Sequence, residues 1–223
     1  MKSKPQIENL AWGGGEKEFV LALSGDEAGA GFAETPQDQE DGWITYVEVA
    51  DVDAAVERTN SLGGIIVREP FEVPGVGRNA LVRDPLGALL GLSLSKHSFP
   101  VPRRQFGTEV YVGNGDKFPE AFYAELFEWQ VSPKRDMECI AVLGPWGDPV
   151  ALQHAATWRI GSNAAWVPSI KVASISDACF AAESMGARSA SVDSNKTGEA
   201  RSLIFCDPDG APFALGVERT NTF

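Results

Sequence analysis

Residues able to do covalent or metal chemistry are few and scattered. The 223-residue chain has two His, His97 and His154, and three Cys, Cys139, Cys179 and Cys206. An odd, widely spaced Cys set argues against a disulfide framework or a zinc cluster. Cys179, at an apolar helix position, and Cys206, ending an apolar strand, read as buried small hydrophobes. No Ser, His and Asp fall together as a triad. Gly13-Gly14-Gly15 follows no strand and opens no helix, so it is not a phosphate loop. What remains is the chemistry of binding. The segment Trp43–Val49 alternates, which puts Ile44, Tyr46 and Glu48 on one face and Val47 and Val49 on the other. A site with apolar walls and a few convergent polar groups is the usual form for a small molecule. Each residue also has a plainer reading: Glu48 as a solvated strand residue, Tyr46 as a core filler or interface anchor. Glu48 is the more decisive of the two, because a buried Glu needs a partner or titrates upward.

These residues belong to a repeated unit. Trp43–Leu94 returns as Trp166–Val217 at a constant offset of 123 residues, with thirteen of 52 aligned positions identical. Trp43 falls on Trp166, Gly63 on Gly186, Arg78 on Arg201, and Asp84-Pro85 on Asp207-Pro208. Such self-similarity marks a duplicated structural unit. The second copy of the alternating strand holds Val167, Ser169 and Lys171, with Gln153, Trp158 and Trp166 nearby in sequence.

Each copy reads as βαβββ. After the first strand, Asp51 or Asp53 can cap a helix. Val52, Ala55, Val56, Thr59 and Leu62 form its apolar stripe, and Gly63-Gly64 stops it. Ile65–Val67 is a strand, Pro70–Gly77 a loop and Arg78–Arg83 a strand. Asp84-Pro85-Leu86-Gly87 is a tight turn, and Ala88–Leu94 closes the unit. In the second copy, Ile175, Ala178, Cys179, Ala182 and Met185 repeat the stripe. Between the copies, Thr108–Val112, a helix over Phe118–Trp129, Met137–Leu143 and Val150–His154 outline a third βαβββ. Ahead of the first copy, residues 1–10 read as frayed, and Glu18–Leu23 and Ala28–Phe32 as strands. Projecting the offset backwards leaves the first half without an opening strand and most of an opening helix, as an incomplete module or a misassigned start codon would. The expected class is therefore α+β, built of paired βαβββ modules in two domains. Residues 1–95 form the first, 96–105 a Pro-containing basic linker, and 106–223 the complete second.

Composition excludes some functions. The net charge of −12, with no Lys/Arg run longer than Arg103-Arg104, disfavours nucleic acid. No run approaches the roughly 20 apolar residues of a membrane span, and no signal-peptide pattern opens the chain. The reading is a cytoplasmic protein.

Ala121-Phe122-Tyr123 with Leu126-Phe127-Glu128-Trp129 resembles the FYxxLFGW helix end of the vicinal oxygen chelate superfamily. This is the glyoxalase, bleomycin-resistance and extradiol-dioxygenase group. WITYVEVADVDAA, PGVGR, DPLGALLGL and DPDGAPFALGV resemble the second half of a glyoxalase-like domain. The resemblance implies sheets curled into an open, U-shaped cavity. It also implies a divalent metal held by His or Gln on the first strand, His on the fifth and Glu on the eighth, with Fe, Mn, Ni or Zn suited to such ligands. The matching positions depart from this. They fall on Ile44 and Gly91 in the first half. In the second they fall near Thr108, then on Val167 and Ala214.

The expectation is therefore a superfamily member that uses no metal or other cofactor and binds a small, partly apolar molecule in its second-domain cavity. By the same analogy the inward, ligand-binding positions are Tyr46, Glu48, Thr108, Gln153, Ser169 and Lys171, with no catalytic residue. One alternative is a metal-dependent lyase or dioxygenase with a site rearranged around His154, Glu109 or Glu48. The other is an interaction module, with the open first-half edge completed by a partner such as a second copy in a homodimer.

Overall fold

In the computed structural model the described residues are 5–12, 15–24, 27–32, 42–73, 77–96, 108–113, 117–136, 139–154, 164–194 and 200–217. His97, Trp158, the linker beyond Lys96 and most of the PGVGR loop lie outside them.

The chain is α+β. An N-terminal antiparallel sheet is made of β1 (Pro5–Trp12), β2 (Gly15–Ser24) and β3 (Glu27–Phe32). The segment expected to fray is thus largely a strand: β1 pairs along its length with β2, from Pro5 opposite Ala22 to Trp12 opposite Gly15. Backbone pairing does not require apolar side chains, which is why its polarity misled. Among the described residues no helix precedes the next strand.

The first βαβββ unit is β4 (Tyr46–Glu48), α1 (Val52–Ser61), β5 (Ile65–Val73), β6 (Gly77–Arg83) and β7 (Leu89–Ser95), in sheet order β4-β7-β6-β5. Asp51 caps α1, its Oδ1 accepting from the Ala54 amide at 3.1 Å. Val52, Ala55, Val56 and Thr59 are buried, as the stripe requires. β4 is shorter than Trp43–Val49, and β5 runs into the expected loop as far as Val73.

The middle unit is β8 (Glu109–Val112), α2 (Glu120–Phe127), β9 (Gln130–Asp136), β10 (Cys139–Leu143) and β11 (Pro149–His154). The last unit runs through β12 (Ala165–Val167), β13 (Ser169–Val172), α3 (Ile175–Ser184), β14 (Arg188–Ser194), β15 (Ala200–Cys206) and β16 (Pro212–Val217). β12 and β13 flank Pro168. β12 pairs antiparallel with β8, and β13 parallel with β16. One broken strand therefore sews the middle and last units together. The stripe of α3 is thinner than that of α1. Ile175, Ala178, Cys179 and Ala182 are half-buried, while Met185 is 79 % exposed. Cys179 and Cys206 are half-buried rather than fully enclosed.

α2 ends at Glu128, which has a left-handed φ of 59°. The resembled helix motif has Gly at this point. A Cβ there costs about 1–2 kcal/mol, but the turn sends Trp129 back under the helix, its amide bonding the Tyr123 carbonyl at 3.3 Å.

The main apolar core crosses between units. Val52, Val82, Leu90 and Leu92 of the first pack with Tyr111, Phe122, Tyr123, Val142 and Trp166. At its centre lies Asp84, 1 % exposed. Its Oδ1 accepts from the Leu86 and Ala88 amides at 2.8 and 2.9 Å. Its Oδ2 accepts from both the Tyr111 and Tyr123 hydroxyls at 2.8 Å. Trp166 Nε1–H donates in turn to the Tyr123 oxygen at 2.8 Å. Burial beside this carboxylate pushes both phenols well above their usual range. Charge-assisted bonds of this kind are what allow a buried carboxylate.

Candidate functional site

A cavity of about 220 Å³ lies at the free edge of β4, where the first unit meets β8, β11 and β12. β4 contributes Tyr46, Val47 and Glu48 to its lining, with Thr45 just ahead of the strand; β7 contributes Leu90, β8 Glu109 and β12 Trp166. Trp129, placed by the end of α2, and Val150 of β11 complete it.

Alternation explains how one small strand supplies two kinds of wall. Val47 packs on the core side with Val49 and also borders the cavity, and Tyr46 and Glu48 project from the opposite face. The Tyr46 ring lies across Gly91, directly opposite in the parallel ladder. A Cβ at Gly91 would stand 2.3 Å from two of its ring carbons. Tyr46 remains 46 % exposed. The covered part raises its phenol pKa, partly offset by the Arg68 guanidinium.

Glu109 is the polar centre of the cavity. It is half-buried, and Thr45 Oγ1 donates to its Oε2 at 3.3 Å. Burial pushes its carboxyl up to about 7, and hydrogen bonds from Thr45 and the Ser169 amide oppose the rise. Both of these donors are neutral. A carboxyl that changes charge near neutrality can donate, accept or balance a cation.

Sequence reasoning placed weight on the other glutamate. Glu48 lines the cavity but is exposed, so the question of a buried carboxylate passes to Glu109. Of the six residues expected to bind a ligand, Tyr46 and Glu48 line this cavity. Ser169 reaches it through its backbone bond to Glu109. Thr108 is half-buried just before β8, Gln153 is buried in β11, and Lys171 is half-buried in β13; none of these three lines the cavity. Thr45 and Trp129 were not assigned a binding role, and Glu109 only one in the alternative of a rearranged metal site. The FYAELFEW helix end pointed towards Trp129, but nothing local shows that β8 turns Glu109 towards β4.

His154 is 2 % exposed, and among the described residues neither ring nitrogen has a hydrogen-bond partner. It sits opposite Val112, three residues after Ala151, which sits opposite Glu109. His154 and Glu109 thus lie on opposite faces of the sheet and do not converge. Among the described residues, no three His, Cys, Asp or Glu are grouped to hold a metal ion.

The positions that the resemblance makes metal ligands are filled differently. Val167 and Ala214, both 0 % exposed, pack with Val110, Val112 and Ile204 in one apolar cluster. Aliphatic side chains offer no donor atom, so these residues do not fit the superfamily's metal. In the first half, the Gly91 position is covered by the Tyr46 ring.

The fold is similar to that of extradiol dioxygenases. Among solved structures, the 2,3-dioxygenase LapB of Pseudomonas sp. KL28 matches 96% of this chain and 83% of its own, with TM-score 0.54 and 13% identity. A catechol 2,3-dioxygenase matches 96% of this chain and 79% of its own, with TM-score 0.51 and 14% identity. At such identities the likeness is one of fold. Among curated proteins, CFP32 of Mycobacterium bovis, whose name proposes a glyoxylase, is 36% identical over 89 residues, 38% of this chain and 34% of its own length. The anthracycline biosynthesis protein DnrV of Streptomyces peucetius is 39% identical over 46 residues, 21% of this chain and 17% of its own length. The chain thus spans about a third or less of the curated relatives it matches. No protein-family model matches it. No helix among the described residues is long and apolar enough to cross a membrane.

Proposed function

We propose that this protein is a glyoxalase-like small-molecule-binding protein that works without the superfamily's metal. Its ligand sits in the cavity at the β4 edge. The observation that carries this reading is Glu109: a partly enclosed carboxyl near neutral pKa, walled by Tyr46, Trp129 and Trp166. The site is thus a lined, partly apolar space with one versatile polar group, as small-molecule sites are. The apolar packing of Val167 and Ala214 supports the metal-free part. The second half's own concave face, the expected location, is the less favoured site because this cluster occupies it.

Two measurements test the reading. Elemental analysis of protein purified without chelators should find no stoichiometric Fe, Mn, Ni or Zn; one tightly bound equivalent would overturn the metal-free part. Crystals soaked with small aromatic and aliphatic fragments should show density beside Glu109. Density confined to the face of Val167 would move the site.

A further inference from the structure

We propose that the β4-edge cavity selects a small organic cation, an ammonium group carrying apolar substituents. This rests on the cavity being the ligand site and narrows what it takes. The lining combines three aromatic rings, Tyr46, Trp129 and Trp166, with two carboxylates, Glu48 and Glu109, and among the described residues it contains no Lys, Arg or His.

The chemistry of each part of that lining suits a cation. Trp166 commits its Nε1–H to Tyr123 at 2.8 Å. Its indole donor is therefore satisfied away from any ligand, and the ring is what it has left to offer. The negative face of an aromatic ring attracts ammonium groups, most strongly where water is excluded. Tyr46, which lies against Gly91, stands at the exposed side of the cavity. Among the described residues, Glu109 receives neutral donors, the Thr45 hydroxyl and the Ser169 amide. An ionised carboxylate has room for about four bonds, so acceptor capacity remains. A neutral ligand would leave its charge uncompensated in a poorly solvated place; a cation would balance it. Glu48 stands at the solvent side of the same cavity, and the net charge of −12 draws cations towards the whole surface. The volume of about 220 Å³ lies below the roughly 300–1,000 Å³ usual for ligand pockets. That limits the ligand to a compact head group or a small whole molecule.

The test uses the full chain and a pair of probes of equal shape, choline and its uncharged analogue 3,3-dimethylbutan-1-ol. Isothermal titration at pH 8, above the Glu109 pKa, should give choline a Kd at least tenfold lower. Glu109→Gln keeps the shape and can still accept from Thr45 and Ser169. It should raise the choline Kd at least tenfold and leave the alcohol unchanged, with its urea midpoint confirming the fold. Glu48→Gln, at an exposed position, should weaken choline about threefold and tests the claim independently of the buried position. If the alcohol binds as tightly as choline, or neither substitution alters choline binding, the cation proposal is overturned while the cavity remains a ligand site. If neither probe binds the unmodified protein, both the cation proposal and the cavity reading fall.

Discussion

Removing single hydroxyls around Asp84 should give two unequal losses of stability, although the two bonds have the same length. Tyr111 and Tyr123 each donate to Asp84 Oδ2 at 2.8 Å. Tyr111→Phe removes one charge-assisted bond and leaves the other, for a loss of about 1.5–3 kcal/mol. Tyr123→Phe removes an equivalent bond and also the oxygen that accepts from Trp166 Nε1 at 2.8 Å. Trp166 is only 6 % exposed, so its N–H has no water to turn to. An orphaned buried donor costs about 1–3 kcal/mol more. Tyr123→Phe should therefore exceed Tyr111→Phe by about that increment. The double variant should lose more than the sum, because it leaves Asp84 Oδ2 buried without either donor, and an uncompensated buried charge costs about 3–5 kcal/mol. Urea midpoints at constant m-value measure all three. Equal losses, or a larger loss for Tyr111→Phe, would refute the ordering. Losses under about 0.5 kcal/mol in both would mean that the network does not join the units energetically.

Four further outcomes follow from single residues. Raising Glu109 from the usual value of about 4.3 to about 7 means that the folded state holds a proton the unfolded state has released between those pH values. Stability should thus fall by about 3 kcal/mol as pH rises across that window and level off above it, a slope absent from Glu109→Gln; parallel curves would refute the burial of this carboxyl. His154→Leu replaces an imidazole whose two nitrogens are unpartnered. It should be neutral or stabilise by up to about 2 kcal/mol, whereas a loss above 1 kcal/mol in urea melts would show that the ring is bonded in solution. Gly91→Ala should push the Tyr46 ring off its seat and cost about 1–3 kcal/mol, less if the half-exposed ring swings freely; a crystal structure with Tyr46 unmoved contradicts this. Glu128→Gly should raise stability by about 1 kcal/mol by relieving a left-handed Cβ, and thermal melts that show a loss would point to an unrecognised role for the side chain.

The parts of the fold legible in the sequence are those set by local chemistry. The Asp51 cap, the α1 stripe and the Asp84 and Asp207 turns with left-handed Gly87 and Gly210 all stand where spacing put them. The strands that went unread include β9 and β14, which like β1 are outer strands of their sheets. Their sequences, QVSPKRD and RSASVDS, are largely polar, as edge strands are free to be. Glu48 and Glu109 show a second limit. Alternation assigns each a face, but burial depends on which neighbouring strand arrives there. β8 lies between β11 and β12, while β4 keeps one side without a partner among the described residues. The Asp84 network was illegible for the same reason. Its turn bonds are within four residues, whereas its tyrosines lie 27 and 39 residues away.

The two copies differ most informatively at one cross-strand pair. In the first, Tyr46 sits opposite Gly91; in the second, Ser169 sits opposite Ala214. The pairs are size-compensated. A large ring is possible on β4 because β7 presents no Cβ there, and a methyl is possible on β16 because Ser169 is small. Ala214 then packs inward with Val110, Val112 and Val167 and closes that face with aliphatic carbon. Gly91 instead leaves its space to an aromatic ring that lines a cavity containing Glu109. Both pairs occupy the position where the resemblance places a carboxylate ligand, and neither could accept one without displacing its neighbour. The duplication thus preserved turns and backbone pairing while the side chains at one register position diverged, one copy towards a sealed core and the other towards an aromatic wall. That divergence puts the candidate binding site at the β4 edge.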